Sequence, residues 1–230
     1  MGLHWIESEL QRTGTVQDKA FAEIVGGVLR ARGEDVRLPE LAVVQFPLAQ
    51  EQLGVLQEKA KKEGKEVVRY QVWPKSVAQQ LLEDKPYFGF VNESEDLRNL
   101  VEPVSFEAAV LIAKKTQIAV PLKKSFSLSL QDQQEMVQEY SQPLEHDGIK
   151  AIMAHAYVDT QLDIAHQKQT GNKLLVGFYA RTPDKTFGSS VADVGRIDSD
   201  SPLDVYDWDR GAGRSRVCVL PVVVPANLEI

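Results

Sequence analysis

The residues in this chain whose types and spacing are best suited to chemistry are His155, Asp159, Asp163 and His166, within His155-Ala-Tyr-Val-Asp159-Thr-Gln-Leu-Asp163-Ile-Ala-His166. On a helix turning about 100° per residue, all four fall within about 80° of one another. Imidazole beside carboxylate is the usual equipment for metal ligation or proton transfer, and a divalent metal is the cofactor such a set admits. Ile149, Met153, Ala156 and Ile164 border the stripe on one flank, and Ala151, Val158, Leu162 and Ala165 on the other. Lys150, Gln161 and Lys168 lie roughly opposite and mark the solvent side. A polar stripe between apolar flanks suits the wall of a cleft.

Helix geometry limits the idea. At about 1.5 Å rise per residue, His155 and His166 stand about 16 Å apart along the axis, so one ion cannot touch all four. His155 with Asp159, or Asp163 with His166, supplies two ligands, and the rest must come from elsewhere, Asp207 and Asp209 being candidates. The competing reading makes these side chains intrahelical pairs on a second wet face, each worth about 0.2–0.5 kcal/mol.

A second pattern runs from Asp198 to Arg216, with Asp198, Asp200, Asp204, Asp207 and Asp209 followed by Arg210, Gly211, Gly213, Arg214 and Arg216. Clustered aspartates on a loop can hold calcium or magnesium, but Pro202 and the lack of a closing glutamate spoil the match to a calcium loop. Asp209 to Gly213 reads more simply as a turn. Arg210, Arg214 and Arg216 are candidate anion ligands, since arginine offers forked donors and glycine lets backbone amides approach. No Gly-Lys-Ser/Thr ending follows, and the first strand-to-helix connection, Gln45-Phe46-Pro47-Leu48, has no glycine, which argues against a phosphate loop and a dinucleotide fold. Gly-x-Ser-x-Gly, His-Glu-x-x-His and paired-cysteine motifs are all missing.

The elements that must position these residues follow from apolar periodicity. Thr15 and Asp18 cap a first helix carrying Phe21, Ile24, Val25, Val28 and Leu29, and an amphipathic opening holds His4 and Trp5. Strands are expected at 41–46, 67–73 and 87–91, with helices at 48–63 and 75–83 between them, a pattern that favours parallel βαβ units. A helix is expected over 106–115, a hairpin of strands at 117–122 and 126–130, and a helix from Asp132 to about Tyr140. A longer helix at 149–169 follows, set off by Pro143 and Gly148. Strands at 173–179, 191–197, 203–208 and 216–224 close the chain, with a more antiparallel character. The aromatic residues Trp73, Tyr87, Phe88 and Phe90 are core candidates before they are stacking platforms. The expected fold class is α/β with mixed α+β character: one mixed sheet flanked by helices, in a single domain 1–230 with a subdivision near 123–143 as the alternative.

Composition bounds the function. The chain has 230 residues, 43% hydrophobic and 26% charged, which suits a folded protein able to bury a core without disulfides or structural metal. One cysteine, Cys218, cannot form an internal disulfide, so a cytoplasmic protein is expected. No apolar run is long enough to span a bilayer. A formal charge of -7 disfavours coating of nucleic-acid phosphates. The expectation is therefore a soluble binding, regulatory or assembly protein, with a protein partner or a second copy of itself. A divalent-metal hydrolase or nuclease using the His155–His166 stripe is the alternative, and a nucleic-acid binder using Arg210, Arg214 and Arg216 the third reading.

Overall fold

In the computed structural model, residues 44–229 are described. The chain divides into two compact units at Val44/Gln45, and the unit Gln45–Ile230 is considered by itself. The expected first helix and the His4–Trp5 opening lie outside the described residues.

The elements run α1 (Gln50–Lys62), β1 (Lys65–Val72), α2 (Val77–Glu83), a 3-10 turn (Lys85–Tyr87), β2 (Phe88–Val91), α3 (Glu95–Asn99), β3 (Phe106–Ala113), α4 (Leu130–Glu145), β4 (Ile149–Met153), α5 (Ala156–Thr170), β5 (Phe178–Lys185), β6 (Ser190–Arg196), β7 (Leu203–Asp209), β8 (Val217–Cys218) and β9 (Pro221–Pro225). They build a mixed α and β fold with two sheets. The first is antiparallel in the order β1-β3-β9-β4, and the second is mixed in the order β2-β7-β6-β5-β8.

Four layers result. Leu53 and Leu56 of α1 and Val137 and Leu144 of α4 pack on Ala109, Ile149, Ala151 and Val223 on one face of the first sheet. The other face of that sheet, with Tyr70, Val72, Ala108, Val110 and Ile112, shares its core with α5 and with Ala180, Ala192, Val194, Leu203 and Val205 of the second sheet. Helix α5 therefore packs against β1 on one side and β5 and β6 on the other. Such a helix must be shielded all round, and nine of its fifteen residues are buried.

Several sequence expectations need correction. Strand β1 was expected in a parallel unit, yet it pairs antiparallel with β3 from Lys65↔Ala113 to Val72↔Phe106, while β2 joins the other sheet, parallel to β7. Period-2 patterning marks a strand but not its partner. Residues 106–113, expected as helix, form β3, because an apolar run buried on both faces reads alike in either state. The expected hairpin at 117–130 is a loop with Gln117, Lys124 and Ser127 at positive φ, and only Ala119 bridges, to Ile112. Of the expected strand at 41–46, Phe46 forms a single bridge to Phe106. Pro143 does not end α4, which runs through it to Glu145. The 216–224 run divides between the sheets, and Pro221 is tolerated in β9 because it is the strand's first residue.

The correction that matters for function is at 149–155. Ile149–Met153 is strand β4, paired with β9 from Ile149↔Pro225 to Met153↔Pro221, and the helix begins only at Ala156. Ile149, Met153 and Ala156 satisfy helical spacing by coincidence. His155 is thus the N-cap of α5 and not part of its stripe. Gly171, in the left-handed region at φ +78°, ends the helix as expected.

Candidate functional site

The four candidate residues do not share a partner. His155 Nδ1 bonds Asp184 Oδ1 on β5, and Asp184 Oδ2 accepts the Ala156 N–H at 2.6 Å. Asp184 therefore caps α5 from another element, where a carboxylate meets the positive end of the helix dipole. Asp163 Oδ2 pairs with Arg196 Nη2 on β6, and its Oδ1 accepts the N–H groups of Leu174 at 3.0 Å and Leu175 at 2.9 Å. His166 Nδ1 lies 2.6 Å from the Tyr70 hydroxyl of β1. Asp159 is buried with its Oδ1 making no hydrogen bond. Asp159, Asp163 and His166 are buried, which overturns the reading of a second wet face, but Asp163 and His166 clamp α5 to the two sheets and the residues do not converge on one site. Among the described residues, no group of three or more histidines, cysteines, aspartates or glutamates is placed to hold a metal ion.

Burial shifts the titration of these groups. It pushes the Asp159 carboxyl well above the usual carboxylate range, and Asp184 and Asp163 push it the same way. Burial lowers His166 against the pull of Asp163. At His155 burial lowers the imidazole, but the bond to Asp184 and the charges of Asp184 and Glu102 outweigh it, and the net shift is upward. Across the second sheet Arg181 and Asp193 face each other with Nε and Oδ1 3.5 Å apart. Burial lifts Asp193 to about 7 against that pairing.

The last two shifts fix a pH dependence. His155 and Asp193 both hold a proton more tightly folded than unfolded. Their contributions are complete below the unfolded values, 6.5 and 3.8, and fade as the pH rises through the folded ones. The stability carried by these two groups should fall as the pH climbs through neutrality, against an opposite contribution from His166. Urea unfolding at about pH 6 and about pH 8 checks this, with His155→Gln and Asp193→Asn each expected to flatten the slope. Variants that keep the slope of the unmodified protein would contradict it.

The outer face of the second sheet is different in kind. Alternation along β7 sends Leu203 and Val205 into the core and turns Asp204, Tyr206 and Trp208 outward. On β5 the same alternation buries Ala180 and turns Tyr179 out. Phe90 on the edge strand β2 joins them, 42% exposed, stacked on Tyr206, itself 38% exposed, with ring centroids 4.8 Å apart. Tyr179 meets Tyr206 edge-on at 5.9 Å. Phe90 was expected in the core and is not.

Local chemistry holds this face in place. Gly89 lets β2 come close, since a Cβ there would stand 2.5 Å from Pro202 Cγ and 2.7 Å from Asp204 Oδ1. Asp204 Oδ1 accepts the Phe90 N–H at 2.9 Å. Gly195 pairs with Tyr179 on one side and Asp204 on the other, so no side chain separates them and the Tyr179 hydroxyl donates to Asp204 Oδ2 at 3.5 Å. That hydroxyl is pushed up to about 12, by burial first and by Asp204 next, and so stays a donor.

The three candidate arginines border this face without forming one anion site. Arg214 lays its guanidinium 4.2 Å over the Trp208 ring, Arg216 sits beside Tyr179, whose amide donates to its carbonyl, and Arg210 lines a separate small cleft. None of them makes an ion pair among the described residues. The aspartates of the same stretch are engaged locally. Asp198 takes bonds from Asp200 and Ser201, Asp207 from Thr186, and Asp209 from Ser189 and Gly211. Asp209 and Gly211 form the turn that the simpler reading had, while Asp207 lies within β7. Cys218 is buried, its thiol pushed well above the usual value by burial first. The aromatic trio escaped sequence reasoning because Phe90, Tyr179 and Tyr206 are far apart in the chain, and only sheet register brings them together.

Neither the family models, nor the curated proteins, nor the solved structures compared with this chain yield a match. Among the described residues, no helix is long and apolar enough to cross a membrane.

Proposed function

We propose that the protein is a binding and assembly protein that recognises an extended acidic segment of a protein partner on the outer face of its second sheet. The observation that carries this is the exposed ring cluster Phe90–Tyr206–Tyr179, bordered by Arg214 and Arg216, whose charges are unpaired among the described residues. Tyrosine, tryptophan and arginine supply most binding hot spots, because they combine large contact area with directional donors. Free guanidinium groups beside the rings select carboxylates. The carboxylate of Asp204, set among the rings, and the chain's charge of -7 count against a continuous phosphate backbone, and the attraction for a short acidic segment rests on Arg214 and Arg216.

The test is selection from a displayed random-peptide library on the full chain, with single-stranded oligonucleotides as competitors. Enrichment of sequences that join aspartate or glutamate to an apolar or aromatic residue, and that oligonucleotides do not displace, is the expected result. Failure to enrich any peptide overturns the reading. Oligonucleotide binding at this face, steeply weakened by salt, would replace it with nucleic-acid recognition.

A further inference from the structure

A second feature lies on the second sheet, beyond the loop that carries Arg210 to Arg216. The β5–β6 turn and the start of α4 enclose a cleft of about 140 Å³, lined by Leu130, Pro183, Lys185, Gly188, Ser189, Ser190, Val191 and Arg210. This is room for several waters, and so for one tetrahedral oxyanion. Its lining holds two cations and no carboxylate, in a chain whose formal charge is -7. Neither Lys185 nor Arg210 makes an ion pair among the described residues.

We propose that this cleft is a binding site for a phosphoryl group, held by the Lys185 ammonium and the Arg210 guanidinium with the Ser190 hydroxyl as a neutral donor. Two cations match the charge of about -1.5 to -2 that a phosphoryl group carries near pH 7. The fold brings them together in a definite way. Gly188, at φ +62°, turns the chain between β5 and β6, the Ser190 N–H closes the turn on the Phe187 carbonyl at 3.1 Å, and the Arg210 N–H is tied to the Ser189 carbonyl at 3.1 Å. The Arg210 carbonyl in turn accepts the Leu130 N–H at 2.9 Å, which seats the N-terminus of the sixteen-residue α4 at the rim. That amide is used, so the helix contributes only the positive end of its dipole.

Two acids stand nearby, Asp132 and Asp209, and the Asp209 carboxylate also feels the Arg210 charge, so the phosphoryl group would share that guanidinium with it. Asp209 accepts from Ser189 Oγ and the Gly211 N–H, and Asp132 accepts from Ser129 Oγ within the α4 cap. Ser189 Oγ is therefore committed to Asp209, and Ser190 is the free hydroxyl of the lining. This site does not depend on the aromatic face and stands or falls separately from the peptide reading.

Two-dimensional NMR titration of the full chain with inorganic phosphate, and in parallel with N-acetyl-phosphoserine amide, tests it at constant ionic strength. Saturable shifts at Lys185, Gly188–Val191 and Arg210 are expected, with at least tenfold weaker binding in Lys185→Met plus Arg210→Gln. Replacing two cations elsewhere, Lys61→Met plus Lys62→Met, should leave the response intact. Tighter binding of the phosphoserine derivative assigns the source to a modified residue, and tighter binding of phosphate to a free ion. No response to either probe, or one that survives the Lys185/Arg210 replacement, overturns the proposal.

Discussion

Replacing Asp163 by alanine should lower the free energy of unfolding by about 3–5 kcal/mol, the cost of leaving a buried charge without its partner. Arg196 is wholly buried, and Asp163 supplies the hydrogen bond its guanidinium makes. Its Nε and Nη1 already make none, so removing the carboxylate strands the entire charge in the core. The same substitution takes the acceptor from the N–H groups of Leu174 and Leu175, both in the segment that leads from α5 into β5. Removing both charged groups behaves differently: Asp163→Leu with Arg196→Met should recover much of the loss, because desolvation of the pair offsets most of its attraction. Equilibrium urea unfolding of the three variants measures this. A loss below about 1 kcal/mol for Asp163→Ala would show that the clamp is not what holds α5 against the second sheet.

Tyr206→Ala should weaken binding of a selected acidic peptide by about 2 kcal/mol or more, roughly thirtyfold, as expected for a central aromatic hot spot. Tyr206 is the ring that touches both others, stacking on Phe90 and meeting Tyr179 edge-on, so its loss disorganises all three. Phe90→Ala should have a comparable effect. The double variant should lose less than the sum, because rings in contact are not independent. Both side chains are more than a third exposed, so folding should change little. Titration calorimetry gives the affinities, and circular dichroism confirms that the variants are folded. Unchanged affinity in both single variants would place the peptide elsewhere.

How far the sequence could be read follows from what each signal encodes. Helices α1 and α2 were legible because helix formers with apolar spacing fill both, and Gly64 follows the first. Strands β1, β2, β6 and β7 were legible because strand-type residues stand between turn residues. The class, mixed α and β with helices flanking sheet, followed from these. Pairing was not legible, since β1 reads the same whether its neighbour runs parallel or antiparallel. Residues 106–113 and 149–153 were misassigned as helix for a shared reason: short apolar runs fit both periods, and their burial on both faces is decided only by distant chain.

The candidate residues show the same division. Helical spacing put Asp159, Asp163 and His166 on one face of the helix, but Arg196 and Tyr70, the partners of Asp163 and His166, lie 33 and 96 residues away. Charge spacing marked Arg210, Arg214 and Arg216 as unusual, while Trp208, Tyr179 and Lys185, which give each arginine a separate setting, entered only through sheet register. The exposed rings carried no local signal at all.

The most direct test of the account is to map a selected acidic peptide onto the backbone amides of the full chain by two-dimensional NMR. The account predicts shifts centred on Phe90, Tyr179, Tyr206, Arg214 and Arg216, with the α5 amides undisturbed. Shifts concentrated around His155 and Asp184 instead, with the ring cluster silent, would contradict it.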